Sequence, residues 1–144
     1  MKAALRGGFL VIIGFLVVLI ISSIHAKNVR AGEVEESLSA AMESALTQIA
    51  QDEDYISVTN SSSESVKQKK DQELKDLFLK YLLAQIKTDS SVDVNFYTAD
   101  YNHGILDVEV TETFYYQNKR KGSVSARKKA ILEEYMKEKK GKTD

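Results

Sequence analysis

The stretch Phe9–Ile24, FLVIIGFLVVLIISSI, decides how the rest of the chain is read. It carries no charge, and only Gly14, Ser22 and Ser23 interrupt its apolar character. Extended to Ala26, it spans roughly 27 Å at about 1.5 Å per helical residue, close to a hydrocarbon core of about 30 Å. A bilayer offers no water to unpaired amides, so a segment crossing it must be helical. The expectation is a transmembrane anchor over residues 9–26, preceded by a short tail, 1–8, and followed by a domain over 27–133.

The flanks refine that reading. Lys2 and Arg6 precede the apolar run like the basic start of a signal peptide. Ile24-His25-Ala26 makes a poor cleavage site, because Ile stands where a small residue is preferred, and the run exceeds the usual 7–15 residues of a signal core. An uncleaved anchor is therefore favoured over a domain secreted after Ala26. Lys27 and Arg30 nearly balance Lys2 and Arg6 in the positive-inside comparison. A short cytoplasmic N-terminus with the C-terminal domain outside is the simpler insertion. Gly7 and Gly14 stand seven apart, which is not the GxxxG spacing that packs helices closely.

The chain of 144 residues has no cysteine, so disulfides, thiolate nucleophiles and Cys-held metals are excluded. Net charge is −1, but unevenly spread. Residues 1–118 hold ten basic against seventeen acidic side chains, and 119–144 hold ten against four. A basic end on an acidic body points to an anionic partner or to the body itself.

After the anchor, Val34, Leu38, Ala41, Ala45 and Ile49 recur at helical steps, widened by Met42 and Leu46, which predicts a helix over 33–52. That helix either stops at Gly32 or continues the anchor as one rod. Residues 52–63 read as a linker; Asn60-Ser61-Ser62 matches a glycosylation sequon that matters only in a eukaryote, and Ser61 with Glu64 suits a capping box. A second helix is predicted over 64–88, apolar on two sides through Leu74, Leu77, Phe78, Tyr81, Leu82 and Ile86, and through Leu79 and Leu83. The period then changes to two. Val92, Val94, Phe96 and Thr98 alternate with polar neighbours; Leu106, Val108, Val110, Phe114 and Tyr116 do the same beyond a Tyr101–Gly104 turn. Strands are predicted over 91–99, 105–117 and 123–132. The last could equally be a helix by propensity, but two strands would cover the helices poorly. The fold class is α+β: an N-terminal apolar helix, an extended amphipathic helix, a second helix and a three-stranded antiparallel sheet. Residues 134–144 are expected to be a basic flexible or helical tail.

Two charges fall on apolar strand faces, Glu112 between Val110 and Phe114, and Lys128 between Ala126 and Ala130. A hairpin centred near Arg120 would place them opposite each other as an ion pair at the edge of the core; a bulge turning both to water is the alternative. Catalytic machinery is not evident. His25 and His103 have no ligand partner at metal spacing. Asp100–Gly104 begins like a calcium loop, but Thr111 stands where that loop requires Glu. There is no P-loop, dinucleotide fingerprint or nucleophile elbow. No enzyme activity, cofactor, metal or small-molecule substrate is expected. Lys119, Arg120, Lys121, Arg127 and Lys129 lie near Tyr115 and Tyr116, a basic-aromatic interleaving that also serves nucleic acid. An outward-facing anchored domain argues against nucleic acid and for an anionic surface or polymer.

The order of apolar helix, amphipathic helix and small antiparallel sheet resembles the pilin-like and pseudopilin-like proteins, above all Tad-type TadE-like members and uncharacterised Gram-positive relatives. Gly8-Phe9 looks like a prepilin processing junction followed directly by the apolar helix. The glutamate usual at the fifth position after that junction is Ile13 here, as in some tip-type pseudopilins that lack it. The resemblance implies a bacterial single-pass membrane protein with a structural or assembly role in a surface appendage or secretion apparatus, its partners the lipid bilayer and other pilus-type subunits. A monomeric tethered module whose basic hairpin captures an anionic partner is the alternative.

Overall fold

The computed structural model describes residues 2–51, 64–86, 90–116 and 119–133, with side chains from residue 12 onward. The first helix, α1, runs unbroken over Lys2–Ala50, so the anchor and the amphipathic helix form one rod of about 73 Å. Gly32 does not interrupt it: the space around this residue is open, and the ladder continues through the position. Residues 12–29 of α1 are exposed throughout, whereas Val34, Leu38, Ala41, Met42, Ala45, Leu46 and Ile49 are buried. One helix thus presents apolar side chains to the surroundings along its first half and to the protein along its second.

The second helix, α2 (Glu64–Gln85), and the strands β1 (Ser91–Asp100), β2 (Ile105–Tyr115) and β3 (Lys121–Ile131) complete the fold. The strands form an antiparallel meander in the order β1-β2-β3. The sheet's inner face packs on both helices. Leu74, Phe78 and Leu82 supply the buried line of α2, at four-residue steps that keep them on one helical face. The Phe78 ring meets Phe96 of β1 edge-on, 5.6 Å between centroids. The helix packs on two neighbours, α1 and β1, with Leu77, Leu79, Tyr81 and Ile86 partly buried against the core, while Leu83 stays exposed.

The third strand forms as a strand despite its helix formers, because Val124, Ala126 and Ala130 fall on the face that β2 presents to the helices. Propensity yields there to cross-strand pairing and burial. In β1 the alternation does not run straight through. A bulge at Tyr97 shifts the register between Phe96 and Thr98. Thr98 therefore turns outward, and Ala99 and the fully buried Tyr101 continue the inner face in its place. The sequon and its capping box, the 52–63 linker and the 134–144 tail lie outside the described residues.

The β2–β3 hairpin closes earlier than a centre at Arg120 requires. Tyr116 N–H donates to Arg120 O at 2.9 Å and Lys119 N–H to Tyr116 O at 2.8 Å, with Lys119 at φ 60°. That left-handed residue closes the turn. Phe114 consequently pairs with Gly122, and its ring stacks edge-on with Tyr116, 5.1 Å between centroids. Both rings lie on Gly122: a Cβ there would sit 2.7 Å from Tyr116 and 2.9 Å from Phe114. Gly122→Ala is expected to force the rings aside at a cost of about 1–3 kcal/mol, read as a lower urea midpoint for the detergent-solubilised protein, whereas Ser123→Ala on the outer face is expected to leave the midpoint in place.

Candidate functional site

At the end of the domain nearest the apolar run, α1 meets the hairpin through Arg30. Its Nη1 donates to Glu112 Oε1 at 2.7 Å, and its guanidinium carbon lies 4.8 Å from the centre of the Phe114 ring. Glu112 is 4% exposed on the inner face of β2. A carboxylate so placed needs a partner, since desolvation costs several kcal/mol per ion. A helix supplies that partner, and Arg's planar group satisfies the carboxylate and stacks on the ring at once.

Glu112 and Lys128 are therefore not paired with each other. The turn closure sets Glu112 opposite Val124 and Lys128 opposite Val108. Both still point inward, as their place on the apolar face implied, and each is satisfied by α1. Lys128 Nζ donates to Ser39 Oγ at 2.9 Å, while that hydroxyl donates to Glu35 O at 2.8 Å. A Ser–Lys dyad would need the hydroxyl proton aimed at the amine; here it is committed to a helix carbonyl. Ser39 and Lys128 also line neither described cleft, and the contact ties strand to helix.

The outer face of the sheet carries a second network. Arg127 donates Nε and Nη2 to the two oxygens of Asp107, at 3.0 and 2.9 Å, and its guanidinium carbon stacks 3.8 Å from the centre of the Tyr97 ring. Tyr97 donates to Glu109 at 2.8 Å, and Ser125 donates to the other Glu109 oxygen at 3.0 Å. The Arg127 bonds hold Asp107 below the usual carboxylate range. The Tyr97 and Ser125 hydroxyls do the same for Glu109, and Glu109 in turn raises Tyr97.

The expected basic cluster consequently divides. Arg127 is already engaged by Asp107, and Lys129 stands opposite Asp107 on the outer face. Lys119, Arg120 and Lys121 lie apart from them, exposed at the hairpin tip with Tyr115, which is 68% exposed. At the far end of the sheet, Tyr101 N–H donates to Asp71 of α2 at 2.8 Å, and Lys70 lies 5.1 Å from the Tyr101 ring centre. Asp100 accepts from His103 N–H at 3.1 Å and lies 2.8 Å from His103 Nδ1. Burial pushes Asp100 up, but the two His103 contacts outweigh it and hold it low. The sequence marks this turn by Gly104, at φ 59°. Nothing in it marks Asp71 as the side chain that pins the turn from α2.

Two clefts flank α1. One of about 130 Å³, lined by Arg30, Glu33, Val34, Gln85, Ile86 and Glu112 among others, is well below the 300–1,000 Å³ usual for ligand pockets. The other, about 470 Å³, lies between Gln48–Gln51 and Glu73–Lys80, and among the described residues that line it no nucleophile and base converge. No group of three His, Asp or Glu side chains converges among the described residues. Gly8 and Phe9 lie within the helical backbone of α1, with no loop marking a junction.

No family model, curated protein or solved structure matches the chain. The class stands on the fold itself: an α+β domain built on the second half of a helix that is long and apolar enough to span a membrane, its residues 12–29 having a mean hydropathy of 1.9 and none of them being buried in the protein.

Arg30→Met is expected to destabilise the domain by about 2–3 kcal/mol, because Glu112 stays buried without its cation, and Arg30→Met with Glu112→Leu is expected to recover most of that loss. Urea unfolding of the three proteins measures both steps. Asp107 stabilises through a lowered folded value, so its contribution is present above its unfolded value, about 3.9, and disappears as pH falls through the folded one. Asp107→Asn is expected to melt below the parent at pH 7, with the difference shrinking as pH falls below about 3.9, by circular dichroism.

Proposed function

We propose that this chain is a non-enzymatic, single-pass membrane protein with a structural or assembly role, a pseudopilin-like component of a surface appendage or secretion apparatus. The observation that supports it most is the unbroken α1. A helix whose apolar half projects bare from a domain that its other half holds together has the architecture of pilin-like subunits. The bare half, residues 12–29, is covered by nothing among the described residues, and lipid or the same segment of neighbouring subunits suits it. The proposed topology keeps the N-terminus cytoplasmic and the domain extracytoplasmic. The amphipathic stripe of α1 gives no extra support to assembly, since this chain's own sheet and α2 cover it. Leu83, 65% exposed on α2, remains for contact between subunits. The exposed Lys119, Arg120 and Lys121 favour the second reading, a tethered module whose hairpin meets an anionic partner.

Because the chain has no cysteine, single introduced thiols report without background. Val17→Cys in membranes is expected to give disulfide-linked dimers if subunits pack through α1; monomer alone, from Val17→Cys and Leu83→Cys both, sinks the assembly reading. Recovery of the full-length chain from the soluble fraction without detergent overturns the anchor itself. N-terminal sequencing of the mature product separates starts at Met1, Phe9 and Lys27.

A further inference from the structure

Two contacts calibrate how β2 runs along α1. Glu112 meets Arg30, and Lys128, which stands opposite Val108, meets Ser39. From Glu112 to Val108 is four strand residues, about 13 Å. From Arg30 to Ser39 is nine helical residues, about 13.5 Å. The strand and the helix therefore keep pace in opposite directions, and β2 heads back toward the apolar half of α1. Past Phe114, which lies under Arg30, the hairpin continues to the Tyr116–Arg120 closure. The two further positions, Tyr115 and Tyr116, add about 7 Å, level with about residues 25–26 of α1 by the helical rise. That is where the apolar run ends and Lys27 begins the polar flank.

Resting on the membrane-anchor reading, the geometry points to the β2–β3 hairpin tip as a membrane-surface contact: Lys119, Arg120 and Lys121 take the anionic headgroups of the same bilayer that holds α1. The tip has the chemistry for it. All three cations are exposed, and the sequence from Thr113 to Leu132 has no acidic residue. Tyr115 projects beside them, and tyrosine favours the headgroup level, where its ring and hydroxyl meet different surroundings. Arg30 is not part of this surface, being held by Glu112. The Phe114–Tyr116 stack on Gly122 braces the base of the tip against the rest of the sheet. Together with α1 the tip gives the domain two points of attachment to the membrane, which fixes its rotation about the anchor.

The full chain lacks tryptophan, so Tyr115→Trp places a unique fluorophore at the tip. The protein is reconstituted into phosphatidylcholine vesicles with or without phosphatidylglycerol, each containing lipid brominated near the headgroup, and co-flotation is recorded with quenching. The expected result is flotation in both, with quenching that rises in the anionic vesicles, falls at about 0.5 M salt, and drops to the neutral-vesicle level when Lys119→Asn, Arg120→Gln and Lys121→Gln are added; each cation contributes roughly five-fold to occupancy of the docked state. Circular dichroism confirms that the variant keeps its fold, and Asn suits the left-handed Lys119 position. Flotation with equal quenching in both vesicles overturns the contact and leaves the anchor standing. Failure to float overturns both. Quenching relieved by soluble polyglycerol phosphate, at an ionic strength where salt alone relieves none, overturns it in favour of a polymer partner.

Discussion

The burial of Leu38, Met42, Leu46 and Ile49 under the sheet and α2 is the interaction on which the rest of this molecule depends. Those side chains belong to a helix that does not end at the edge of its domain. No proline or loop separates the buried stripe from the apolar run before it, and the helix continues through Gly32, which lies between them, so the two form one rod. The domain's orientation is set by whatever holds the first half of α1. Each further attachment between α1 and the sheet, Arg30 to Glu112 and Lys128 to Ser39, tightens that dependence.

The two inward charges show why such attachments exist. A carboxylate and an ammonium on the apolar side of a sheet would be costly if left alone. They sit where the sheet crosses α1, and each takes its partner from the helix rather than from the neighbouring strand. That arrangement fixes how far the sheet slides along the rod, a role that purely apolar packing fills less specifically. Buried polar contacts are well suited to setting register in this way.

Much of the architecture was legible in the residues. The helical period of Val34 to Ile49 and the two-residue period from Val92 onward gave two helices and three antiparallel strands in their observed order, and the inward placement of Glu112 and Lys128 followed from parity alone. The pairing of those two did not. It depended on where the hairpin closes, and Lys119 carries no sequence mark of a left-handed residue. The Tyr97 bulge was equally silent: an extra residue reverses parity beyond it without altering composition, and so the turn of Thr98 outward and the burial of Tyr101 went unforeseen.

Composition and periodicity alone determine that the chain has one long apolar segment, no thiol chemistry and an α+β domain, because these follow from which side chains water rejects and how often they recur. The tertiary structure decided that the two leading segments are one rod, which partner each inward charge takes, and that the basic residues divide between a neutralised sheet face and an exposed tip. Those outcomes are set by contacts between residues as far apart as Arg30 and Glu112, and a one-dimensional pattern holds no measure of which distant groups meet.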